Sequence, residues 1–259
     1  MVEQSLPRVD YETAQHAQYA VGRALSGDAL SRWMAVFTSW APGSRPLAVL
    51  DLGSGTGRFT PALAREFGGP VYGVEPAGAM RRQAPAAPGV TYLDGRAEDI
   101  PLDGGACDLI LMFLSLHHVE DRAAAGREVA RVLRPGGRLL VCTSLGDGTS
   151  PQLWHRFYPA ARLVGERLHP TYAQVLATFP DFDLVARDQV EGLWAPDLAA
   201  YAARIKRHAI STFEYLDAAE IAAGDARLDA AVAAGEHPGP VTDNLDLLVF
   251  EAHDRAGVR

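Results

Sequence analysis

Apolar and polar positions along the chain form blocks whose lengths and periods match those of strands and helices. The run at residues 49–52 is mostly apolar and predicts a strand that is covered on both faces. Leu30, Trp33, Met34 and Phe37 recur at helical spacing and predict an amphipathic helix. Strands and helices then alternate as far as RLLVCTS, residues 138–144. This alternation predicts an α/β fold with a parallel sheet and helices on both of its faces.

The predicted elements divide the chain into a helical N-terminal cap, residues 1–45, and an α/β core, residues 46–259. The cap is expected to be helical from about Tyr11 to Trp40, where a segment with prolines and a glycine ends it. Helical insertions are expected in the core at about 150–180 and 196–236. The second lies between FDLVARDQVEGL, which reads as strand six, and the final strand LDLLVFEA. We interpret it as a lid over the site.

The segment VLDLGSGTGRF, residues 49–59, predicts a buried strand that leads through a glycine turn into a helix beginning near Arg58. Asp51 places a carboxylate at the carboxyl end of that strand, where open α/β sheets bind ligands. A dinucleotide fingerprint, G-x-G-x-x-G, would have glycine where this chain has Arg58. The spacing therefore disfavours a nicotinamide dinucleotide. The next strand, PVYGVEP, ends in Glu75, an acid suited to accepting hydrogen bonds from ribose hydroxyls.

These motifs resemble those of class I S-adenosylmethionine-dependent methyltransferases, in particular the small-molecule group that includes the ubiquinone and menaquinone biosynthesis enzymes. The resemblance runs over residues 49–144 and also covers GRAEDIP (95–101), CDLILMFLSLHH (107–118) and the LRPGG turn (133–137). It implies a Rossmann-like, doubly wound, mostly parallel seven-stranded sheet with an antiparallel last strand. It also implies transfer of a methyl group to a small-molecule acceptor.

The resemblance further implies S-adenosyl-L-methionine as the cofactor and S-adenosyl-L-homocysteine as the product. The expected cofactor-binding residues are Asp51, Gly53, Ser54, Gly55, Gly57, Glu75, Pro76, Met80, Ala97, Glu98 and Met112. Some of them have simpler interpretations. Met80 could be a core residue, and Glu98 could be a solvated acid in a loop.

Candidates for a general base are His117 and His118, which follow the fourth predicted strand, and Tyr19 in the cap. A tyrosine–histidine pair of this kind resembles the arrangement in phosphoethanolamine methyltransferases, although the rest of that family's pattern is not evident. The histidines could instead be polar residues at a strand end. A base is needed only when the acceptor arrives protonated. No residues are proposed as metal ligands.

The acceptor is hinted at only by basic residues. Arg204 and Arg207 in ARIKRHAIST could bind a phosphate or carboxylate. Helical geometry places them roughly opposite an apolar stripe, so a solvated lid surface is the alternative. A second basic group consists of Arg156, Arg162 and Arg167. Convergence of both groups on one pocket would favour an anionic acceptor such as an isoprenyl diphosphate or an aromatic acid.

Composition narrows the remaining choices. The chain has 259 residues and a net charge of −8, which argues against a nucleic-acid partner. Two cysteines make a disulfide framework improbable, and no signal peptide or membrane span is visible, so a cytoplasmic protein without membrane contact is expected. Two alternatives stay open: a nicotinamide-dependent oxidoreductase and a non-catalytic S-adenosylmethionine-binding protein. The oligomeric state is not predicted.

Overall fold

The computed structural model describes residues 25–147, 152–237 and 239–253. Seven strands in these ranges form one sheet in the order β3-β2-β1-β4-β5-β7-β6. Their bounds are β1 Leu47–Leu52, β2 Gly68–Val74, β3 Val90–Leu93, β4 Cys107–Phe113, β5 Leu133–Thr143, β6 Phe182–Ala195 and β7 Val241–Ala252. Strands β1 to β5 are parallel, and β7 is antiparallel to both β5 and β6. The predicted mostly parallel seven-stranded sheet with an antiparallel last strand is confirmed.

Helices connect these strands within the described ranges. Their bounds are α1 Gly27–Trp40, α2 Thr60–Phe67, α3 Gly78–Arg81, α4 Arg122–Val132, α5 Pro159–Leu168, α6 Tyr172–Thr178, α7 Leu198–Ile205 and α8 Ala218–Ala233. Short 3-10 turns occupy Leu116–His118, Leu153–Arg156 and Ser211–Tyr215. Of the helices described, none is long and apolar enough to span a bilayer.

Both faces of the sheet are covered, because neighbouring residues on its central strands enter different cores. Leu50 and Ile110 join the core beneath α4 and α6, whereas Val49 and Leu109 join the core beneath α1 and α2. All six residues of β1 are buried. The apolar run at the start of the motif is thus a strand covered on both faces, as its sequence predicts.

A third core lies at one end of β6 and β7, around Ala195 and Val241, and joins the two inserted helical segments. Trp154 and Tyr158 from the first insertion pack with Tyr201 and Phe213 from the second. The apolar stripe predicted for α7 is confirmed, since its buried residues are Leu198, Tyr201, Ala202 and Ile205. The insertions therefore form one packed helical layer.

Several element boundaries differ from the sequence-based expectation; β7, for example, begins at Val241, four residues before the predicted strand LDLLVFEA. Helix α2 begins at Thr60 and not at Arg58, with Pro61 in its first turn, where a backbone N–H has no partner within the helix. Strand β5 begins at Leu133, before the LRPGG segment ends. A register shift opposite β4 absorbs the segment, since Cys107 pairs with Leu133 and Leu109 with Arg138.

Candidate active site

A cavity of about 790 Å³ opens at the carboxyl ends of β1, β2 and β4, on either side of the point where the strand order reverses. All but one of the expected cofactor residues line it: Asp51, Gly53, Ser54, Gly55, Glu75, Pro76, Met80, Ala97, Glu98 and Met112. These residues come from two strands, a short helix and three loops. The fold brings them together although they span more than sixty positions of the sequence.

The glycine turn presents bare backbone to this cavity. Gly53 and Gly55 have φ values of 78° and 57°, which side chains other than glycine rarely adopt. A Cβ at Gly53 would also collide with the side chain of Ser115, whose hydroxyl donates to the Leu52 carbonyl at 2.9 Å. A ligand can therefore approach the turn closely.

Gly57 was also expected to bind the cofactor, but it does not line the cavity. It has φ 73°, and a Cβ there would collide with the hydroxyl of Tyr92 on β3. Because Gly57 has no side chain, the turn can pack closely against β3. Tyr92 could not be singled out from the sequence, because this contact depends on how β3 lies beside the turn.

Asp51 is a buried acid at the end of β1, with only 2% of its surface exposed. Its carboxylate accepts a hydrogen bond from the Thr60 hydroxyl at 2.7 Å. Burial raises the pKa of Asp51 from 3.8 to about 6, against the lowering effects of the Thr60 bond and the charge of Arg58. Because the ionised form is costly without a cation, the site favours a positively charged ligand group beside Asp51.

Glu75 ties the end of β2 to the glycine turn. Its Oε2 accepts from the backbone N–H of Gly55 at 3.0 Å, and its Oε1 accepts from the N–H of Ala77 at 2.9 Å. The Gly53 and Ser54 N–H groups both donate to the carbonyl of Val74. These bonds fix a carboxylate at the cavity wall, where ligand hydroxyls could donate to it.

The walls farther along the cavity are mainly apolar. Met80, Ala97 and Met112 are buried residues that border it. Glu98 also borders it, and its Oε1 accepts from the N–H of Glu120 at 2.9 Å, just before α4. Glu98 is thus an anchor for the loop that precedes α4 as well as a wall residue.

Ser54 carries a polar atom whose hydrogen bonds are not satisfied within the described part of the chain. Its Oγ is buried at the cavity wall and has no hydrogen-bond partner there. A buried hydroxyl left in this state costs about 1–3 kcal/mol. The cavity therefore favours a ligand with a polar group at this point.

The two predicted histidines lie in the 3-10 turn after β4 and both line the cavity. Their ring centroids are 3.9 Å apart, and the ring of His169 is 4.5 Å from that of His117. His169 follows α5, so a residue of the first insertion reaches the predicted base candidates. The third candidate, Tyr19, and the cap residue Tyr11 lie outside the described residues.

Three further wall residues come from the insertions. Arg167 and Leu168 end α5, and Tyr215 ends the 3-10 turn before α8. Arg167 belongs to the second basic group of the sequence, whereas Leu168 and Tyr215 were not predicted to line the site. No local pattern marks these residues, because their position depends on how the inserted helices pack above the sheet.

The basic residues proposed for the acceptor do not converge on one cavity. The Nη1 atom of Arg204 donates to the Trp194 carbonyl at 3.0 Å, and its guanidinium lies 4.6 Å from the Trp194 ring centroid. Arg204 lines a separate chamber of about 50 Å³, whereas Arg207 is exposed and lines neither space. Arg156 and Arg162 form surface ion pairs with Glu236 and Glu166. Of the second basic group, therefore, only Arg167 lines the cavity.

Comparison with known proteins agrees with this architecture. Residues 50–141 match the family model described as a methyltransferase domain. An uncharacterized methyltransferase of Mycobacterium tuberculosis (strain H37Rv) is 41% identical over 144 residues, which are 55% of this chain and 56% of that protein. A demethylmenaquinone methyltransferase of Mycolicibacterium gilvum is 32% identical over 165 residues, 61% of this chain and 65% of that protein.

Among solved structures, a candidate methyltransferase from an antibiotic biosynthesis pathway of Anabaena variabilis superposes with a TM-score of 0.69 at 21% identity. The alignment covers 86% of this chain and 97% of that one. The chain spans a little more than half the length of the mycobacterial relative that it matches, so activity of the whole protein does not follow from that match.

The strand order, the glycine turn after β1 and the acid after β2 define a Rossmann-like fold with a nucleotide-type site at the point where the strand order reverses. The family match then gives the particular class. Residues 50–141 carry a methyltransferase domain, and the chain shares its fold with a solved methyltransferase structure.

Proposed function

We propose that this protein transfers a methyl group from S-adenosyl-L-methionine to a small-molecule acceptor and releases S-adenosyl-L-homocysteine. The observation that carries the proposal is the cavity in which the buried carboxylate of Asp51, the fixed carboxylate of Glu75 and the glycine turn meet. Each of these groups matches a different part of the cofactor in charge or hydrogen bonding.

The residues present fit this cofactor. Asp51 would accept a hydrogen bond from the α-ammonium group of the cofactor. This group supplies the positive charge that favours the ionised form of the buried carboxylate. Glu75 would accept hydrogen bonds from the ribose hydroxyls, and the Ser54 hydroxyl would bond a polar group of the methionine end. Met80, Ala97, Met112, Pro76 and the loop at Glu98 would enclose the adenine.

When bound, the cofactor supplies a methyl group already activated by its sulfonium. That methyl group would pass to an electron pair on the acceptor's carbon, nitrogen or oxygen, and the pair of the broken carbon–sulfur bond would leave with sulfur. The protein's part is to align the two groups and to exclude water. We propose that His118 or His117, with Tyr19 from the cap, takes the acceptor's proton where one must leave.

We propose that the helical cap, residues 1–45, and the insertions at about 150–180 and 196–236 cover the acceptor side of the core, residues 46–259. Support comes from Leu168 and Tyr215, which reach the cavity from the two insertions. The methylated atom, whether carbon, nitrogen or oxygen, stays open. An anionic acceptor, such as an isoprenyl diphosphate or an aromatic acid, keeps support from Arg167 in the cavity and Arg204 in the neighbouring chamber.

We propose a cytoplasmic location, as the two cysteine thiols are free and buried in β4 and β5. The net charge of −8 supports a partner that is a small molecule and not a nucleic acid. Of the two rival functions, the nicotinamide-dependent oxidoreductase is disfavoured by Arg58 at the fingerprint's third glycine position. The other rival, a protein that binds the cofactor without methyl transfer, would form no S-adenosylhomocysteine, so a turnover assay distinguishes it from an enzyme.

The test is formation of S-adenosylhomocysteine from S-adenosylmethionine with a panel of small carbon, nitrogen and oxygen acceptors. We expect product formation that depends on an acceptor in wild-type protein, at least tenfold less in Glu75→Gln, and no loss in Asp94→Asn. Asp94 is a suitable control because it is an exposed carboxylate that pairs with Arg81. Binding of a nicotinamide dinucleotide without binding of S-adenosylmethionine would overturn the proposal.

A further inference from the structure

Thr60, the first residue of α2, carries a polar side chain in the interior of the protein, with 0% of its surface exposed. A buried hydroxyl needs a hydrogen-bond partner. Threonine hydroxyls near the start of a helix commonly bond the backbone of that helix. The Thr60 hydroxyl instead donates to the carboxylate of Asp51 on β1 at 2.7 Å. A side chain of the helix thus supports a carboxylate of the neighbouring strand.

Aromatic packing fixes the start of α2 against the sheet. The ring of Phe59, directly before Thr60, lies 5.3 Å from the ring of Phe37 on α1 and 4.7 Å from that of Phe113 on β4. Phe67 at the other end of α2 is fully buried. Closely packed side chains of this kind leave little room for movement. The Thr60 hydroxyl is therefore held opposite Asp51 by the core around it.

Several groups near Asp51 act on its charge. Burial raises the pKa of the carboxyl, and Glu75 at the end of β2 raises it further. The Thr60 bond lowers this pKa, and it does so more than the positive charge of Arg58 does. The phenol of Tyr92 on β3 is also nearby, since burial and the Asp51 charge raise its pKa and the Thr60 hydroxyl lowers it. Thr60 therefore contributes the largest of the effects that keep Asp51 ionised.

The same bond leaves Asp51 able to serve a ligand. A carboxylate has about four acceptor sites, so Asp51 can keep the Thr60 bond and still accept a donor from the cavity that it lines. The bond to one oxygen also restricts rotation of the carboxylate. Thr60 is not among the described residues that line the cavity. It can therefore act on a ligand there only through Asp51.

We propose that Thr60 is a positioning residue for the cofactor, whose hydroxyl keeps the Asp51 carboxylate oriented and ionised for the ammonium group. The proposal rests on the proposed function, because Asp51 is the carboxylate assigned there to the cofactor. A threonine with only a structural role would contribute to stability equally at every pH, and its loss would leave the pH dependence of binding unchanged.

The experiment compares full-length wild-type protein with Thr60→Val, Thr60→Ser and the control Thr178→Val. Valine keeps the shape of threonine without the hydroxyl, whereas serine keeps the hydroxyl. Thr178 is a matched control because only 2% of its surface is exposed and its hydroxyl donates to the Gln174 carbonyl at 2.8 Å. It lies on α6 and does not line the cavity.

Calorimetry measures the affinity of each protein for S-adenosylhomocysteine between pH 5 and 9. In Thr60→Val, the pH below which the affinity declines should move up by about one pH unit. From the wild-type pKa of about 6, this shift corresponds to binding that is about fivefold weaker at pH 6, with a smaller loss at pH 8. Thr60→Ser should restore the wild-type profile, and Thr178→Val should not change it.

Urea unfolding of ligand-free protein gives a second readout. Because the pKa of Asp51 is higher in the folded state than in the unfolded state, its ionised form destabilises the fold above about pH 6. Removal of the Thr60 bond raises that pKa further. Thr60→Val should therefore lose more stability relative to wild type at pH 8 than at pH 4, whereas the loss in Thr178→Val should be the same at both.

An unshifted pH profile in Thr60→Val, or a shift that also occurs in Thr60→Ser, would overturn the proposal. If Thr60→Val does not fold, Thr60→Ala takes its place in both measurements. Wild-type protein that binds S-adenosylhomocysteine beside a variant with an unshifted profile contradicts the Thr60 inference only. Folded wild-type protein that does not bind contradicts the proposed function, and the urea comparison then decides whether Thr60 keeps Asp51 ionised, since equal losses at the two pH values would exclude it.

Discussion

The carboxylate of Glu75 accepts a hydrogen bond from the backbone N–H of Gly55 at 3.0 Å, which joins the acid after β2 to the turn after β1. Its other oxygen accepts from the N–H of Ala77. Two backbone bonds hold the carboxylate in place before any ligand arrives, so little side-chain entropy remains to be lost on binding. Glu75 thus shapes the turn and presents an acceptor to the cavity.

Replacing Glu75 by Gln should weaken cofactor binding at least tenfold, or about 1.4 kcal/mol. The amide has the same shape but no charge, and it has one acceptor oxygen where the carboxylate uses two. Equilibrium dialysis with labelled S-adenosylmethionine measures the effect, and Asp94→Asn serves as the matched control. Equal affinities of Glu75→Gln and wild-type protein would remove Glu75 from the site.

Replacing Asp51 by Asn should stabilise the ligand-free protein at pH 8 by about 1–3 kcal/mol. Burial raises the pKa of Asp51 to about 6, so above that pH the folded state holds a charge that the unfolded state solvates better. Asn removes this charge and can still accept the Thr60 hydroxyl. The gain should shrink as pH falls from 6 towards 4, where Asp51 becomes protonated in the folded state. Urea unfolding at pH 8 and at pH 4 measures the gain in stability, and an equal gain at the two pH values would contradict this explanation.

The affinity for the cofactor should decrease as the pH is lowered below about 6. Protonated Asp51 cannot pair with an ammonium group, so each pH unit below the pKa of about 6 should weaken S-adenosylhomocysteine binding by up to tenfold. Titrations between pH 5 and 8 test the slope. Asp51→Asn should bind weakly and with no such slope, whereas a slope that persists in this variant assigns the titration to another group.

Gly57 and Gly136 provide a matched pair for the glycine turn. Both have left-handed backbones, with φ 73° and 70°, but a Cβ would strike Tyr92 at Gly57 and meet nothing within 4 Å at Gly136. Gly136→Ala should cost about 1–2 kcal/mol for the backbone conformation alone. Gly57→Ala should cost about 1–3 kcal/mol more because of the collision.

Denaturant midpoints measure both costs, and Tyr92→Phe should recover part of the loss in Gly57→Ala by removing the hydroxyl. Equal costs at the two glycines would show that the packing of the turn against Tyr92 is unimportant.

Features encoded locally could be predicted from the sequence. The run at 49–59 combines a buried strand, an acid and glycines at fixed spacing, and Glu75 ends the next strand, so this part of the site follows from short-range patterns. The apolar stripe of α7 follows in the same way, since helical spacing alone defines it.

Contacts between distant segments could not be predicted. Tyr92, His169 and Tyr215 reach the turn, the histidines and the cavity only after strands and inserted helices have packed. The difference between Arg204 and Arg207 has the same origin. Both lie in one basic run, and the position of Trp194 on β6 brings Arg204 alone to a chamber.

We propose that the cavity binds the methyl donor through Asp51 and Glu75. Calorimetric titration with S-adenosylhomocysteine tests it most directly, with wild-type protein compared with the double variant Asp51→Ala, Glu75→Ala at pH 8. We expect micromolar binding by the wild type and a loss of at least a hundredfold in a double variant that is folded by circular dichroism. No binding by folded wild-type protein, or unchanged affinity in the double variant, would show that this cavity does not bind the methyl donor through these two acids.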